Sequence, residues 1–499
     1  MQKLSRRGFI KLATASAIST PLILNASPNQ TPKINFDEIY DVIVVGSGIS
    51  GHICATYLAK NKLNVLMIEK MDRIGGNSAL SQQDFAVMGS DLQKKENIQD
   101  SVELFLKDLN KVGQGYNHKE QSLRLAKHSN EAYEFAKSCG IKYSDKLKFL
   151  GGHSVPRTIQ TIGGGGQAIQ TIHQTFLKEG GKFKKETKCD EILKNEQGEV
   201  IGIKVRENYR FNRELKNDDR ENTSGNAKTY QARLAVVFAT GGFSKDVEYR
   251  SIANPRLKLA YTPSNLGQTA GALKIMAKAG GNPVQTALSR FSFGIPTEDL
   301  IYGIIVDDRS QRFLNEDGDR QVLSNKILSH MDTINTTNYP IVIFDSNGFA
   351  NSHDPRRMNS FITSSKMHKF QTLEELSKYF DLNLETLKQT IAKYEEGLKN
   401  NKDEFGKDLS KSKNSGINKA PFYAMKAAPS LSYTPGGIFI DTNMKVLSLQ
   451  DNTPIPNLYA IGEATGGVHG ASRLTSCSIP DCMTSGLLCA KNIINEKKI

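Results

Sequence analysis

A single turn near the start of the chain limits the folds available to it. Residues 41–45, Asp-Val-Ile-Val-Val, form the apolar run of a buried strand, and Gly-Ser-Gly-Ile-Ser-Gly follows directly. The pattern predicts a helix over 53–60 and a second apolar strand over 65–68 that ends at Glu69. A G-x-G-x-x-G turn between strand and helix, with an acid 18 residues past its last glycine, is typical of dinucleotide-binding units. In such units the acid accepts hydrogen bonds from a ribose.

Each glycine of this turn has a physical task. Gly46 permits the tight bend, Gly48 lets the backbone approach a pyrophosphate, and Gly51 lets the helix pack against the strand. The N-terminus of the helix that follows presents free N–H groups and a positive dipole end to the same anion. The turn therefore predicts a phosphate site.

The sequence beyond Glu69 indicates a flavin dinucleotide. Residues 70–78, KMDRIGGNS, place Gly75 and Gly76 where a flavin enzyme wraps the adenosine and the pyrophosphate. A β-meander is predicted over 189–193, 200–205 and 233–238, interrupted by a charged loop over 208–228. Near the C-terminus, the segment 458–467, LYAIGEATGG, is predicted to be a strand that brings Gly462 and Glu463 back to the cofactor.

The first residues of the chain indicate export from the cytoplasm. Residues 5–11 read S-R-R-G-F-I-K, and a mildly apolar run over 12–24 follows, which is typical of a twin-arginine export signal. The run is shorter than the roughly 20 residues needed to cross a bilayer, so no permanent membrane span is expected. We predict a signal peptide over 1–26, passage through the twin-arginine translocase and a periplasmic location.

Charge and cysteines exclude several classes of protein. The net charge is +13, yet no basic cluster is interleaved with aromatic residues, so nucleic acid is not an expected partner. An anionic small substrate or an acidic protein partner suits this charge better. The six cysteines have no disulfide-framework or zinc spacing, and no C-x-x-C-H haem sequence occurs. We expect neither a metal site nor a haem of the chain's own.

Several motifs together resemble one family. They are GSGISG at 46–51, GGNSALSQ at 75–82, ATGGF at 239–243, RFLNE at 312–316 followed by Arg320, and AIGEATGGVHGASRL at 460–474. This set resembles the soluble fumarate reductase and flavocytochrome c flavoproteins, over nearly all of the chain after about residue 35. The resemblance implies noncovalent FAD and reduction of a carbon–carbon double bond conjugated to a carboxylate.

The resemblance also assigns residues. Arg473 matches the family's carboxylate-binding arginine, Arg320 its proton-delivering arginine, and Thr297 with Glu298 its Thr-Glu pair for substrate contact and the proton path. Tyr433 stands where a substrate-binding histidine is found. Motifs and resemblance give this set of cofactor-binding residues: Gly46, Gly48, Ile49, Ser50, Gly51, Glu69, Lys70, Gly75, Gly76, Asn77, Ser78, Gly165, Thr240, Gly241, Gly462, Glu463, His469, Ser478 and Ile479.

The implied fold is α/β. It combines a Rossmann-like FAD-binding domain of the GR2 type, carrying the β-meander, with an inserted α+β capping domain. The predicted boundaries are 36–284 for the first part of the FAD-binding domain, 285–432 for the cap and 433–499 for the second part. Within the cap, helices are predicted over 374–379 and 384–394, and a polar surface loop over 400–418.

Departures from the family pattern concern the substrate. Residues 431–437 read LSYTPGG, residues 285–294 contain no histidine, no arginine follows Glu298 at three residues, and RLTSCS occupies 473–478. Loss of two polar clamps with Arg473 retained favours a monocarboxylic enoate of the acrylate, methacrylate, crotonate, cinnamate or urocanate type over fumarate. This inference rests on the chemistry of the pocket.

The electron supply and two competing functions complete the expectations. Without a haem motif, electrons are expected from a separate c-type cytochrome, which would make the protein a terminal reductase of anaerobic respiration. One alternative is a dehydrogenase or oxidase of a ketosteroid or amino acid, favoured by the Tyr-Thr-Pro-Gly-Gly sequence at 433–437. The other is a non-catalytic flavin electron shuttle, against which the retention of Arg320 and Arg473 argues.

Overall fold

A computed structural model describes residues 34–413 and 415–497. The predicted signal peptide, residues 1–26, lies outside this part of the chain. From Phe36 onward the chain forms one compact unit. Within the described ranges, no helix combines the length and the apolar character that crossing a membrane would require.

The first half of the chain supplies most of the central sheet. The strands of this half of the chain, in that sheet and in smaller ones, are β1 (Glu38–Val45), β2 (Val65–Ile68), β3 (Asp84–Ala86), β4 (Tyr143–Lys148), β5 (Thr158–Thr161), β6 (Lys182–Lys184), β7 (Thr187–Lys194), β8 (Val200–Glu207), β9 (Asn226–Phe238) and β10 (Pro283–Val284). Its helices are α1 (Ile49–Lys60), α2 (Gly76–Leu80), α3 (Asp91–Lys95), α4 (Val102–Gly113), α5 (Lys119–Ser138), α6 (Gly164–Lys178), α7 (Asp218–Glu221), α8 (Val247–Ala253) and α9 (Gly271–Lys278), with a 3-10 turn at Pro255–Leu259.

The second half adds a smaller sheet and returns to the first. Its strands are β11 (Arg290–Ser292), β12 (Ile304–Val306), β13 (Ile341–Phe344), β14 (His368–Phe370), β15 (Phe422–Lys426), β16 (Ser430–Tyr433), β17 (Gly437–Ile438), β18 (Lys445–Leu447) and β19 (Pro454–Ala460). Its helices are α10 (Arg320–Thr333), α11 (Ser346–Ala350), α12 (Pro355–Thr363), α13 (Leu373–Phe380), α14 (Leu384–Lys399) and α15 (Ser478–Lys497), with 3-10 turns at Thr297–Tyr302 and Gly462–Ala464.

The central sheet joins both ends of the chain. Its strands follow the order β18-β19-β9-β1-β2-β6, and β7 and β8 extend it as an antiparallel meander through β9. Strand β1 pairs in parallel with both β2 and β9, and all four residues of β2 are buried. Burial on both faces explains the unbroken apolar runs of these strands. The strand order reverses beside β1, where a crevice opens beyond the carboxyl ends of parallel strands.

The smaller sheet separates two apolar cores. Strands β12, β13, β15 and β14 pair antiparallel in that order. Ile305 and Val342 pack with one cluster, whereas Ile304 and Ile343 pack with the other. This division follows the two-residue period of a strand. The predicted α/β class is confirmed by this architecture.

Several element boundaries differ from the sequence expectations. Helix α1 begins at Ile49 instead of residue 53, because the glycine turn leads directly into it. The strand predicted over 458–467 ends at Ala460 and is followed by a 3-10 turn. The segment 400–418 is not entirely a surface loop, since Lys407 is buried and its Nζ donates to the carbonyl oxygen of Gly303 at 2.6 Å.

Candidate active site

A cavity of about 960 Å³, counted to its open mouth, lies at the carboxyl ends of β1 and β2. It suits a dinucleotide because it runs from Glu69 at one strand end to Glu463 in the returning C-terminal segment. The cofactor-binding residues predicted from sequence that line it are Gly46, Gly48, Ser50, Glu69, Lys70, Gly76, Asn77, Ser78, Thr240, Gly241 and Glu463. The structure therefore brings residues from both ends of the chain to one site.

Two of the three glycines of the turn, Gly46 and Gly51, leave no room for a side chain. Gly46 has φ +107°, and a Cβ there would lie 2.5 Å from the carbonyl oxygen of Ala239. A Cβ on Gly51 would lie 2.2 Å from the carbonyl oxygen of Gly46. At Gly48 the nearest heavy atom to such a Cβ is the Ser78 Oγ, 3.7 Å away, so this position stays open toward the cavity. The turn thus fits a bound pyrophosphate.

Glu69 is held in place by the turn itself. Its Oε2 accepts hydrogen bonds from the Ser47 backbone N–H at 3.0 Å and the Ser47 hydroxyl at 2.6 Å. Its Oε1 accepts one from the N–H of Met71 at 3.0 Å, and the Ser47 Oγ accepts one from Gly75 at 3.0 Å. These bonds fix the carboxylate at the cavity edge, where remaining lone pairs can meet ribose hydroxyls.

The remaining predicted cofactor residues lie outside the cavity lining. They are Ile49, Gly51, Gly75, Gly165, Gly462, His469, Ser478 and Ile479. Most of them shape the walls: the N–H of Ile49 donates to the Ser78 Oγ at 3.1 Å, and a Cβ on Gly165 would lie 1.9 Å from the Ser78 carbonyl oxygen. His469 instead lies 3.4 Å from a carboxylate oxygen of Asp481.

Several polar residues of the lining were not indicated by any sequence motif. They include Thr187, Lys188, Asp219, Gln268 and Thr269, from the meander and from the segment before α9. Gln268 links two predicted residues, because its Nε2 donates to Glu463 at 2.8 Å and its Oε1 accepts from the Asn77 amide at 2.7 Å. Asp219 lies in the charged loop predicted over 208–228, and no feature of the sequence pointed to the other four.

Glu463 is a buried carboxyl group at the cavity wall. Burial raises its pKa to about 7, although bonds from the Thr434 backbone and hydroxyl, the charge of Arg473 and the bond from Gln268 oppose the shift. Glu463 therefore holds its proton more tightly in the folded than in the unfolded protein. The stability that this protonated carboxyl group contributes is complete at low pH and is lost as pH rises through about 7.

We therefore expect Glu463→Gln to flatten part of the pH dependence of stability. Between pH 5.5 and 8.5 the wild-type apoprotein should lose about 2 kcal/mol more free energy of unfolding than the variant. Urea denaturation at the two pH values measures the difference. Equal pH dependence in both proteins would contradict a titration of Glu463 in this range.

Arg320 is placed by a buried ion network. In the RFLNE sequence, Arg312 donates to both carboxylate oxygens of Glu316, at 3.0 and 2.7 Å, and to Asp403 at 2.7 Å. Glu316 also accepts from the N–H of Ile305 at 3.0 Å, which ties the loop to β12. RFLNE thus anchors the start of α10, whose first residue is Arg320.

The surroundings of Arg320 lower the pKa of its guanidinium group. Burial and then the positive charge of Arg473 lower its pKa, whereas Glu298 opposes the shift. It occupies the first position of α10, the positive end of the helix dipole, which also disfavours a cation. Its Nη2 donates to the Thr475 hydroxyl at 3.1 Å, two residues beyond Arg473. The structure therefore brings Arg320 and Arg473 together.

The Tyr433 ring packs against Arg473 and His469. The Arg473 guanidinium carbon is 5.3 Å from the centroid of the Tyr433 ring, and His469 packs edge-on against the same ring at 5.3 Å. Burial raises the pKa of the Tyr433 phenol far above its usual value, so the hydroxyl stays protonated. The next residue, Thr434, donates its N–H to Glu463 at 3.0 Å, which links this group to the cavity.

Arg290 is a third buried arginine close to Arg320 and Arg473. Its Cα pairs with that of Tyr433 between β11 and β16, and its pKa is lowered by burial and by the charges of Arg473 and Arg320. The three guanidinium groups donate to Ser432, Thr475 and the carbonyl oxygen of Leu474, all uncharged acceptors. In the described part of the chain, Nε of Arg290 and Nε of Arg473 are buried without a hydrogen-bond partner.

Burying three guanidinium groups close together is energetically unfavourable unless an anion neutralises their charge. The cluster of Arg290, Arg320 and Arg473 is therefore suited to bind an anion. Arg290 lies in the segment 285–294, whose sequence departs from the family pattern by its missing histidine. A buried guanidinium therefore lies in the segment where the family pattern has a histidine. Its pairing with Tyr433 depends on a contact across 143 positions of chain, which no local pattern could reveal.

The predicted Thr-Glu pair opens the 3-10 turn Thr297–Tyr302. Glu298 is exposed, but it is near enough for its charge to raise the pKa of Arg320. The buried acid of this turn is Asp299, which accepts bonds from the Ser352 hydroxyl at 2.5 Å and the His353 ring at 2.7 Å. Asp299 thus anchors the turn, and Glu298 remains exposed to solvent.

Comparisons with known proteins agree with this geometry. The chain is 32% identical to the acrylate reductase flavoprotein subunit of Shewanella woodyi, over 98% of both chains. It is 29% identical to the cytochrome-type fumarate reductase of Shewanella frigidimarina, covering 92% of this chain and 78% of the relative. A solved open-conformation flavocytochrome c3 fumarate reductase superimposes with a TM-score of 0.80 at 25% identity, covering 92% of this chain and 79% of that one.

A family match covers the same region as the cavity and the cation cluster. The FAD binding domain profile matches residues 41–479, which include both strand ends of the cavity and all three arginines. The cofactor is FAD, and the glycine turn, Glu69 and the buried unpaired acceptors of the cavity fit it. The chain belongs to the FAD binding domain family and is an FAD-dependent oxidoreductase.

Proposed function

We propose that this protein reduces the carbon–carbon double bond of an α,β-unsaturated carboxylate. The observation that carries the proposal is the meeting of Arg290, Arg320 and Arg473 beside the FAD cavity, with Tyr433 packed against Arg473. A carboxylate is the natural ligand of planar guanidinium groups whose donors lack other partners. Acrylate, fumarate and urocanate reductases among the relatives support the same chemistry.

The residues divide the work between binding and proton transfer. Reduced FAD supplies a hydride equivalent when bound. Arg473 and Arg290 hold the substrate carboxylate, which withdraws electron density from the double bond, and the Tyr433 hydroxyl donates a further hydrogen bond. Arg320 gives a proton to the α-carbon, and its lowered pKa makes this transfer less unfavourable than from an ordinary arginine. Glu298, on the solvent side, returns a proton to Arg320.

The substrate class follows from the size and charge of this cluster. Two guanidinium groups on one carboxylate leave only Arg320 for the reacting end of the molecule. The proposal therefore favours a short monocarboxylic enoate over fumarate. The identity of 32% with an acrylate reductase flavoprotein subunit supports this choice.

The electron donor and location belong to the same proposal. We place the protein in the periplasm after twin-arginine export, with a separate c-type cytochrome as donor. The relative named as a cytochrome-type fumarate reductase and the relative named as a flavoprotein subunit support a separate electron-carrying partner. Without the four basic residues of the predicted signal peptide, Lys3, Arg6, Arg7 and Lys11, the net charge of +13 falls to +9, which still suits docking to an acidic cytochrome.

A panel of enoates tests the function. Holoenzyme is mixed with dithionite-reduced methyl viologen, and oxidation of the dye is followed after addition of acrylate, methacrylate, crotonate, cinnamate, urocanate or fumarate. We expect at least one monocarboxylate to accelerate oxidation, with fumarate slower. No acceleration by any member while FAD stays bound would favour the electron-shuttle alternative. In a separate assay without dithionite, reduction of an oxidised dye of higher potential, such as dichlorophenolindophenol, on addition of a ketosteroid or an amino acid would favour the dehydrogenase alternative.

A further inference from the structure

The loop between β8 and β9 carries an acid into the FAD cavity. Within this loop, α7 begins at Asp218, whose Oδ1 accepts bonds from the Asn212 backbone at 2.8 Å and the Asn222 amide at 2.6 Å. The buried Tyr209 hydroxyl donates to the other oxygen of Asp218. This clamp fixes the backbone of the neighbouring residue, Asp219, which lines the cavity.

Asp219 has a carboxylate that the protein does not satisfy. Its side chain is 10% exposed, and in the described ranges neither oxygen has a hydrogen-bond partner of normal geometry. The nearest cations are Lys70 Nζ at 3.7 Å and Lys188 Nζ at 3.9 Å. Those two amines donate elsewhere, to the Thr269 hydroxyl and to Asp190, each at 2.7 Å. Burial raises the pKa of Asp219, but the charge of Lys70, the nearby Thr269 hydroxyl and the charge of Lys188 lower it by more, so the carboxylate is ionised.

A buried carboxylate without donors is unfavourable, so a donor from a ligand is expected. Asp219 lies at the end of the cavity that Glu69, Lys70 and Thr187 also line. In dinucleotide-binding folds, an acid at the Glu69 position marks the adenosine ribose. Adenosine offers hydroxyl and amino donors, whereas the pyrophosphate offers acceptors only. We propose that Asp219 is a cofactor-binding residue that accepts a hydrogen bond from the adenosine half of FAD.

The neighbouring helix begins with a glycine that leaves room for the Asp219 carboxylate. Gly271 is the first residue of α9, and a Cβ built on it would lie 2.6 Å from the carboxylate carbon of Asp219. A side chain at position 271 would therefore enter the volume that Asp219 fills. Asp219 and a side chain at position 271 therefore exclude each other, and an acid at 271 would begin within 2.6 Å of the carboxylate carbon that it replaces.

This exclusion allows a relocation experiment on the purified protein. The dissociation constants of FAD and FMN are measured by flavin fluorescence quenching on apoprotein prepared from wild type and variants. Asp219→Ala should weaken FAD binding about 10- to 100-fold and leave FMN binding unchanged, because FMN lacks the adenosine. The double variant Asp219→Ala, Gly271→Asp should recover most of the affinity for FAD.

The controls separate recognition of adenosine from damage to the loop. Glu221→Ala, at the exposed end of the same short helix, should leave both constants unchanged. The melting temperature of each apoprotein reports folding, and AMP should compete with FAD more weakly in Asp219→Ala than in wild type. Unchanged FAD affinity in Asp219→Ala would overturn the proposal. An equal loss of FAD and FMN affinity would also overturn it, because the effect would then not depend on adenosine.

Discussion

Replacing Arg320 by alanine is expected to lower the rate of enoate reduction by about 10³-fold, which is the range that a positioned proton donor contributes. The side chain adjoins Arg473 through Thr475, and its lowered pKa follows from burial and from that neighbouring charge. Of the three arginines in the cluster, Arg320 is the one whose pKa responds to the exposed acid Glu298, which gives it a route to solvent protons. Dye oxidation with the best substrate of the panel measures the loss.

Two further variants separate proton transfer from charge and folding. Arg320→Lys keeps a cation that can give up a proton, so we expect partial recovery of rate. Arg309→Ala removes an exposed arginine from the same part of the chain and should have no effect. FAD content and melting temperature should stay the same in all three variants. An unchanged rate in Arg320→Ala would remove this residue from the mechanism.

The parts of the fold set by local chemistry could be predicted from sequence. The G-x-G-x-x-G turn requires backbone geometry and close approaches that only glycine allows, as the contacts of Gly46 and Gly51 demonstrate. Glu69 follows a strand that is buried on both faces, and its apolar run is visible in the sequence. For these residues, local pattern and tertiary role coincide.

Residues whose roles depend on distant contacts could not be found this way. Arg290 becomes part of the cation cluster only because β11 pairs with β16, and Asp219 enters the cavity only because Asp218 clamps its loop. Both lie in segments of ordinary polar composition. The resemblance also gave Arg312 no separate role, whereas its bonds to Glu316 and Asp403 explain why Arg320 is held where it is.

A double-mutant cycle on Arg473 and Arg290 is the second decisive experiment. Arg473→Met should lower kcat/KM for the best enoate by about 10³-fold, because a charged group buried beside the FAD cavity loses its role in holding the carboxylate. Arg290→Met should act in the same direction with a smaller effect. FAD affinity should be unchanged in both, since neither residue lines the cavity.

The cycle also decides whether both arginines bind the same carboxylate. If they share it, the effects of the two substitutions on kcat/KM should be non-additive, with a coupling of about 1 kcal/mol or more. The matched control pairs Arg473→Met with Arg309→Met, for which the effects should add. Additive losses from Arg473 and Arg290, together with faster reduction of fumarate than of any monocarboxylate by the wild type and loss of that preference in Arg290→Met, would assign Arg290 to a second carboxylate. The preferred substrate would then be a dicarboxylate.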